Sequence, residues 1–337
     1  MRALRLSLSA VLLVLLTSAT AAFAQTISIT TGITSNTTWG PTGTVVGTTF
    51  WVKNSIAINA GATLTIQPGV VVKFNPGTQL AVNGAIQAIG TAGNNIYFTS
   101  IKDDNNPAGD TNADGNTTAP ATADWNSIVF ADATVDGSSA LTWCDIRYAG
   151  SSAYGGLTFL SCSHNVNNCF VRKSYYGIDC QGSAAPTIAS TSIEAATLTP
   201  IVLDFTAAPV FSSLVFSTAN NGYDAIGLRG ATLTSAASLP KRGATVGANP
   251  VSNVTYVLLG SLTINSGGSL TVAPGVVIKP VSGYSIAVNA GGNLTMNGTA
   301  AAGDTITISI NRVTGFIFMI SKIYKAKYGG NGTPEIM

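Results

Sequence analysis

The chain has 337 residues, 46% of them hydrophobic and only 9% charged, with 16 Lys and Arg against 14 Asp and Glu. That balance leaves no basic field, so no nucleic-acid partner is expected, and the apolar fraction excludes a disordered chain. An ordinary globular protein carries about 25% charged residues; here Gly, Thr, Ser, Ala and Asn fill the gap.

Residues 1–24 read as a signal peptide. Arg2 and Arg5 form a basic start, Leu6 to Thr20 is an apolar run, and Ala22-Phe23-Ala24 is an A-x-A cleavage site. The expected location is therefore secreted or cell-surface. No later stretch reaches about 18 uncharged apolar residues, so no membrane span is expected in the mature chain. Residues 25–44 read as an N-terminal cap or leader.

From residue 45 the chain alternates apolar and short polar residues in runs of about five, rich in β-branched types and punctuated by Gly and Pro. Residues 61–74 read GATLTIQPGVVVKF, and 206 positions later residues 267–280 read GGSLTVAPGVVIKP. The first copy spans 52–100 and the second 255–310. Between them, two columns recur. One is Leu141/Cys144/Ile146, Val166/Cys169/Val171, Ile188/Thr191/Ile193 and Val210/Ser213/Val215, with steps of 25, 22 and 22. The other is Leu157/Phe159, Ile178/Cys180, Ile201/Leu203 and Ile226/Leu228, with steps of 21, 23 and 25.

A coil of that length with two or three short strands is one rung of a parallel β-helix, stable only as part of a stack. The expected fold is all-β: a right-handed parallel β-helix over 45–310, with about 22–25 residues per rung and middle rungs at 125–230. A propeller needs longer repeats and a sandwich needs no such register. A monomer is expected.

These motifs carry a resemblance. Gly61 to Phe74, Leu80 to Gly84, Phe98-Thr99-Ser100-Ile101-Lys102-Asp103-Asp104, Gly109 to Gly115 and Asp124-Trp125 together resemble bacterial exported members of the pectin-lyase-like group of right-handed parallel β-helix proteins. The resemblance covers roughly residues 45–310. It implies the architecture; most proteins of this kind have no assigned activity. The enzymatic members of the wider superfamily are polysaccharide lyases and hydrolases.

The candidate metal site lies in the polar loop 101–124. Asp110-Thr111-Asn112-Ala113-Asp114-Gly115 sets oxygen side chains at positions 1, 3 and 5, with Gly at 6, as in the first half of a calcium loop. Position 12 is Ala121, so Asp103, Asp104 or Asp124 would replace the missing Glu. The bland alternative is a solvated Asp/Asn/Gly loop. If calcium binds, its role is structural.

Arg147, Arg172, Asp145, Glu194 and Asp179 fall on outward positions. Arg147 and Arg172, with Glu194 one rung on, read either as a sugar-binding strip or as an ion-pair ladder, and outward Trp143 reads as a candidate sugar-stacking platform. Trp39, Trp51, Trp125, Tyr148, Tyr154, Tyr175 and Tyr176 are further candidate platforms for polysaccharide or cell-surface glycans. Paired carboxylates for glycoside hydrolysis are not seen on neighbouring rungs, so no catalytic residue is named. The lone His164 reads as incidental. Cys144, Cys169, Cys162 and Cys180 are disulfide candidates or buried thiols. Stacked positions about 4.8 Å apart slightly exceed the Cβ spacing of a disulfide.

After Ser309 the pattern stops. Residues 311–337 are of another character, read as a truncated or frame-shifted end or as a capping segment. The functional expectation is a non-enzymatic exported scaffold, surface-associated or adhesin-like. The runner-up is a polysaccharide-active or glycan-binding protein.

Overall fold

A computed structural model describes residues 26–217, 221–299 and 305–308. The residues read as a signal peptide and as an atypical tail lie outside these, as do small parts of the middle and second repeat segments. The described residues are all-β, with no helix.

Two ten-stranded sheets and one eight-stranded sheet carry most of the strands. The chain visits them in rotation. Thr49–Val52 joins sheet 1, Ile56–Ile58 sheet 2 and Thr63–Ile66 sheet 3; Val71–Phe74 then returns to sheet 1. From Thr49–Val52 to Val210–Ser212 each strand pairs in parallel with the strand three places on, as in Thr49↔Val71 and Phe50↔Val72. Just beyond residue 212 the interval lengthens to four or five, with one antiparallel pair, Ala244–Val246 with Asn249–Val251. The arrangement is compatible with a parallel β-helix, and among the described residues there is no closed barrel. Inside, one continuous apolar cluster runs from Ile33 to Ile286.

The spacing of the first column has a local cause. Leu141, Cys144 and Ile146 all face the core, although 141 and 144 have opposite parity in a flat strand. The residue between strands, Trp143, adopts φ +51°, which turns the corner in one residue and resets the parity. Asn168, Ser190 and Ser213 repeat this left-handed corner at φ +52°, +47° and +49°. Their amides stack from coil to coil, Trp143 N on Asn167 O, Asn168 N on Ala189 O and Ser190 N on Ser212 O. Asn tolerates this conformation and β-branched residues do not. Ser190 is exposed, so packing does not confound it. Ser190→Val is expected to cost about 1–2 kcal/mol in denaturant unfolding, while Ser190→Asn leaves stability unchanged or slightly raised.

The fourth rung slips by one residue from the sequence reading. Val210 is 58% exposed, and the core positions are Phe211, Leu214 and Phe216 rather than Val210, Ser213 and Val215. Both registers satisfy the pattern; the one that buries two aromatic rings removes more apolar area from water. The second column is in register as read, Leu157↔Ile178, Ile178↔Ile201 and Ile201↔Ile226.

The copies of the repeat dock differently. Val71–Phe74 pairs within sheet 1, but its counterpart Val277–Pro280 pairs with Tyr256–Leu258 in sheet 2. Sheet 3 stops at Val210–Ser212, and two three-stranded sheets take over beyond residue 230. Sheet 2 alone spans both copies.

Trp39 and Trp125 are corrections to the set of candidate sugar platforms. Both are fully buried, stacked on Phe50 at 4.7 Å and on Phe74 at 4.1 Å. The disulfide candidates are a second correction, because Cys144, Cys169, Cys162 and Cys180 are all free and buried. In parallel stacked strands neighbouring Cβ vectors run side by side rather than toward each other. The thiols bond to the backbone instead, Cys144 Sγ to Ala88 O at 3.3 Å and Cys169 Sγ to Asn167 O at 3.2 Å. Thr191 continues their column, accepting from Cys169 N at 3.4 Å.

Candidate functional site

Elsewhere the passage from sheet 1 to sheet 2 takes a few residues; between Ile96–Ser100 and Ile128–Phe130 it takes the whole acidic loop. This loop folds back over the outer face of sheet 1. Lys73 points outward between Trp51 and Thr99 in the register, yet it is fully buried because the loop covers it. Its Nζ donates to Asp103 O at 2.9 Å and to Gly109 O. Burial pulls the Lys73 ammonium below its ordinary range, and the carboxylates of Asp104, Asp103 and Asp110 pull it back up.

The loop brings together Asp104, Asp110 and Asp114, each with a carboxylate oxygen within 4.8 Å of the others. Two ligands on one calcium ion at 2.3–2.6 Å can be at most about 5 Å apart, so one ion can touch all three. Asn112 is beside them, its Nδ2 donating to Asp114 Oδ2 at 2.7 Å. That leaves Asn112 Oδ1, Asp104 Oδ1 and Asp114 Oδ1 buried without a protein hydrogen-bond partner. Buried acceptors in that state are costly, and a cation is the group that satisfies acceptors alone. Burial, and then the Asp110 carboxylate, raise Asp104 above the usual carboxylate range. Asp110 shapes the turn, accepting from Gly115 N at 2.8 Å.

Asp103 and Asp124 are not in this cluster. Asp103 is fully buried, accepting from Thr99 Oγ1 at 2.6 Å and Asn105 N at 3.1 Å, with Arg147 at 3.7 Å. Asp124 pairs with Lys102 at 2.9 Å and accepts from Ser100 Oγ at 2.8 Å. They hold the two ends of the loop while the other four residues surround one point.

Arg147 and Arg172 lie on the same face, one coil apart. Asp145 binds both, Arg147 at 2.7 Å and Arg172 at 3.0 Å, and Arg172 also reaches Glu194 at 2.9 Å. This is a closed ion-pair ladder, tied to the loop by Arg147 Nη1 donating to Asn105 O at 2.9 Å. Trp143 is separate, at its half-buried corner between sheets 3 and 1. His164 is buried and neutral in character. It meets Thr134 Oγ1 through Nε2 at 2.9 Å, accepts from Ser139 N through Nδ1 at 3.4 Å, and is lowered by burial.

Sequence reasoning missed Lys73, although a single lysine inside the apolar run VVVKF was a signal. It also missed Arg229, which crosses two coils to bind the fully buried Asp179 at 2.5 Å.

Comparison with known proteins adds no relative: no family model matches the chain, and no curated protein or solved structure matches it significantly. Among the described residues no helix is long and apolar enough to cross a membrane.

Proposed function

We propose that the chain is a right-handed parallel β-helix of the pectin-lyase-like kind, exported and surface-associated, acting as a non-enzymatic scaffold whose long loop is fixed by calcium. The observation that carries the metal is the set of buried, unpartnered oxygens on Asp104, Asn112 and Asp114 around the Asp104/Asp110/Asp114 cluster. These three aspartates and Asn112 would hold the ion, with carbonyls or water completing the six to eight oxygens calcium takes. Bound there, calcium supplies charge neutralisation and a rigid cross-link. A structural role is favoured because the neighbouring Arg147 and Arg172, which a sugar-acid site would need free, are held in the ladder.

Thermal unfolding of the metal-stripped protein tests this. Calcium at about 100 times its dissociation constant adds roughly 2.7 kcal/mol, a rise in Tm of about 5 °C. An Asp110→Asn/Asp114→Asn variant is expected to lose that rise. No difference between calcium and chelator for the unaltered chain removes the metal from the proposal.

A further inference from the structure

The three long faces of the stack differ in what they offer a partner. The outer face of sheet 1 carries the ion-pair ladder and lies partly under the acidic loop. The outer row of sheet 2 is closed, since Thr158, Asp179 and Val202 are fully buried although they point away from the core. Sheet 3 is open. Its outward residues form two straight rows. One is Thr38, Thr65, Gln87, Ala140, Asn165, Thr187 and Val210; the other is Ile89, Thr142, Asn167, Ala189 and Ser212.

No strand of sheet 3 contains a charged residue. Val46, Ile89 and Val210, three of the five exposed large hydrophobics among the described residues, lie on it. A fourth, Val135, precedes its strand Ala140–Thr142. Trp143 stands at its corner, next to Thr142.

The size of the face narrows the partner. Seven positions at about 4.8 Å per coil and two rows about 7 Å apart give a strip of roughly 30 by 10 Å. A face-to-face pair of copies would bury about 600 Å² through it, half or less of the ~1,200 Å² a stable pair requires. The strip is long, narrow, flat and uncharged, with an amide or hydroxyl on most coils and apolar groups between. The strands of the face offer an acidic polymer no cation, and Arg242, the one placed against its last strand, is engaged by Pro209 O and the Phe211 ring.

We infer that the outer face of sheet 3 is a contact face for an extended neutral polysaccharide laid along the stack. Hydroxyls of the sugar bond to Thr65, Gln87, Asn165, Asn167 and Thr187, and its apolar ring faces rest on Ile89, Val210 and Trp143. This rests on the surface-scaffold reading and gives that scaffold its partner.

The test is retention of the full chain on amorphous cellulose and on chitin, with pectate as the acidic control. Asn165 and Asn167 are exposed, so Asn165→Lys/Asn167→Lys places two charges on the face without touching the core. Thr234→Lys places one at an exposed position off the sheet. The expected result is retention on at least one neutral polymer and none on pectate. It falls at least tenfold in the double variant and is unchanged in Thr234→Lys, with equal thermal unfolding for all three. Retention absent from both neutral polymers, or unaffected by the double variant, overturns the inference. So does a dimer, seen by light scattering, that the double variant dissolves, because the face then belongs to a second copy. The calcium-dependent rise in Tm reads the metal loop separately, so a failed retention with an intact rise removes only the contact face.

Discussion

Lys73→Ala is expected to destabilise the chain by about 3–5 kcal/mol in denaturant unfolding, the cost of removing one partner from a buried charge assembly. The ammonium is fully buried and is the hydrogen-bond donor to the carbonyls of Asp103 and Gly109. Without it those acceptors lose their donor, and the nearby carboxylates of Asp103, Asp104 and Asp110 lose a counter-charge. Lys73→Met keeps most of the stem and its packing and isolates the electrostatic part. Its loss is expected to be smaller than that of alanine but still above about 1 kcal/mol, the cost of a buried acceptor left unmade. With the positive charge gone, calcium should bind Lys73→Met more tightly than the unaltered chain, as measured by calorimetry. If Lys73→Met unfolds like the unaltered chain, the loop is held by other means, and the lysine is there for its length alone.

The same residue shows why the fold was more legible than the site. Fold information is periodic: Leu157, Ile178, Ile201 and Ile226 recur because each must stack on the last. A column repeated four times announces itself. Even the corner at Trp143 left a trace, the extra residue between Leu141 and Cys144. Periodicity failed where two registers were equally periodic, and there ring size decided for Phe211 and Phe216. Site information is not periodic. The Asp110–Gly115 spacing marked the loop, but the choice of Asp104 over Asp103 and Asp124 depends on how 24 residues fold back over sheet 1. Asp103 turns inward to Thr99 and Asp124 outward to Lys102, a distinction that adjacency in sequence does not encode. Outwardness itself misled. Asp179 and Lys73 point away from the core and are nonetheless fully buried, since side chains and loops from other coils close over them.

Asp179 is expected to give the chain an acid-strengthened component of stability. Its Oδ2 accepts from Arg229 at 2.5 Å and Gln181 at 2.7 Å, while Oδ1 is buried without a partner. Burial raises its carboxyl from 3.8 to about 6, against the opposing pull of Arg229. Between those two values the folded chain holds a proton that the unfolded chain releases, so stability falls as pH rises through that window and is regained on acidification. A shift of about two units corresponds to about 3 kcal/mol. His164 acts in the opposite sense. Buried and lowered from 6.5, it refuses a proton that the unfolded chain accepts, so acidification below 6.5 costs stability through this group. Subtracting one variant from the unaltered chain separates them. Asp179→Asn keeps an oxygen for Arg229, removes the titration, and leaves His164 and the acidic loop as they were. The unfolding free energy of the unaltered chain, relative to Asp179→Asn, is expected to rise by about 2 kcal/mol between pH 7.5 and pH 4, the remainder of the ~3 kcal/mol being recovered only below pH 3.8. Parallel profiles would show that Asp179 is ionised throughout. Protonation also frees Arg229, whose remaining carboxylate neighbour is Asp204 at 3.9 Å. Arg229 Nη2 also reaches Ala153 O at 3.5 Å. Once the intrinsic slowing of exchange with falling pH is divided out, the protection of amides around residues 151–154 should therefore drop over the same pH interval, even as the molecule as a whole gains stability from this group.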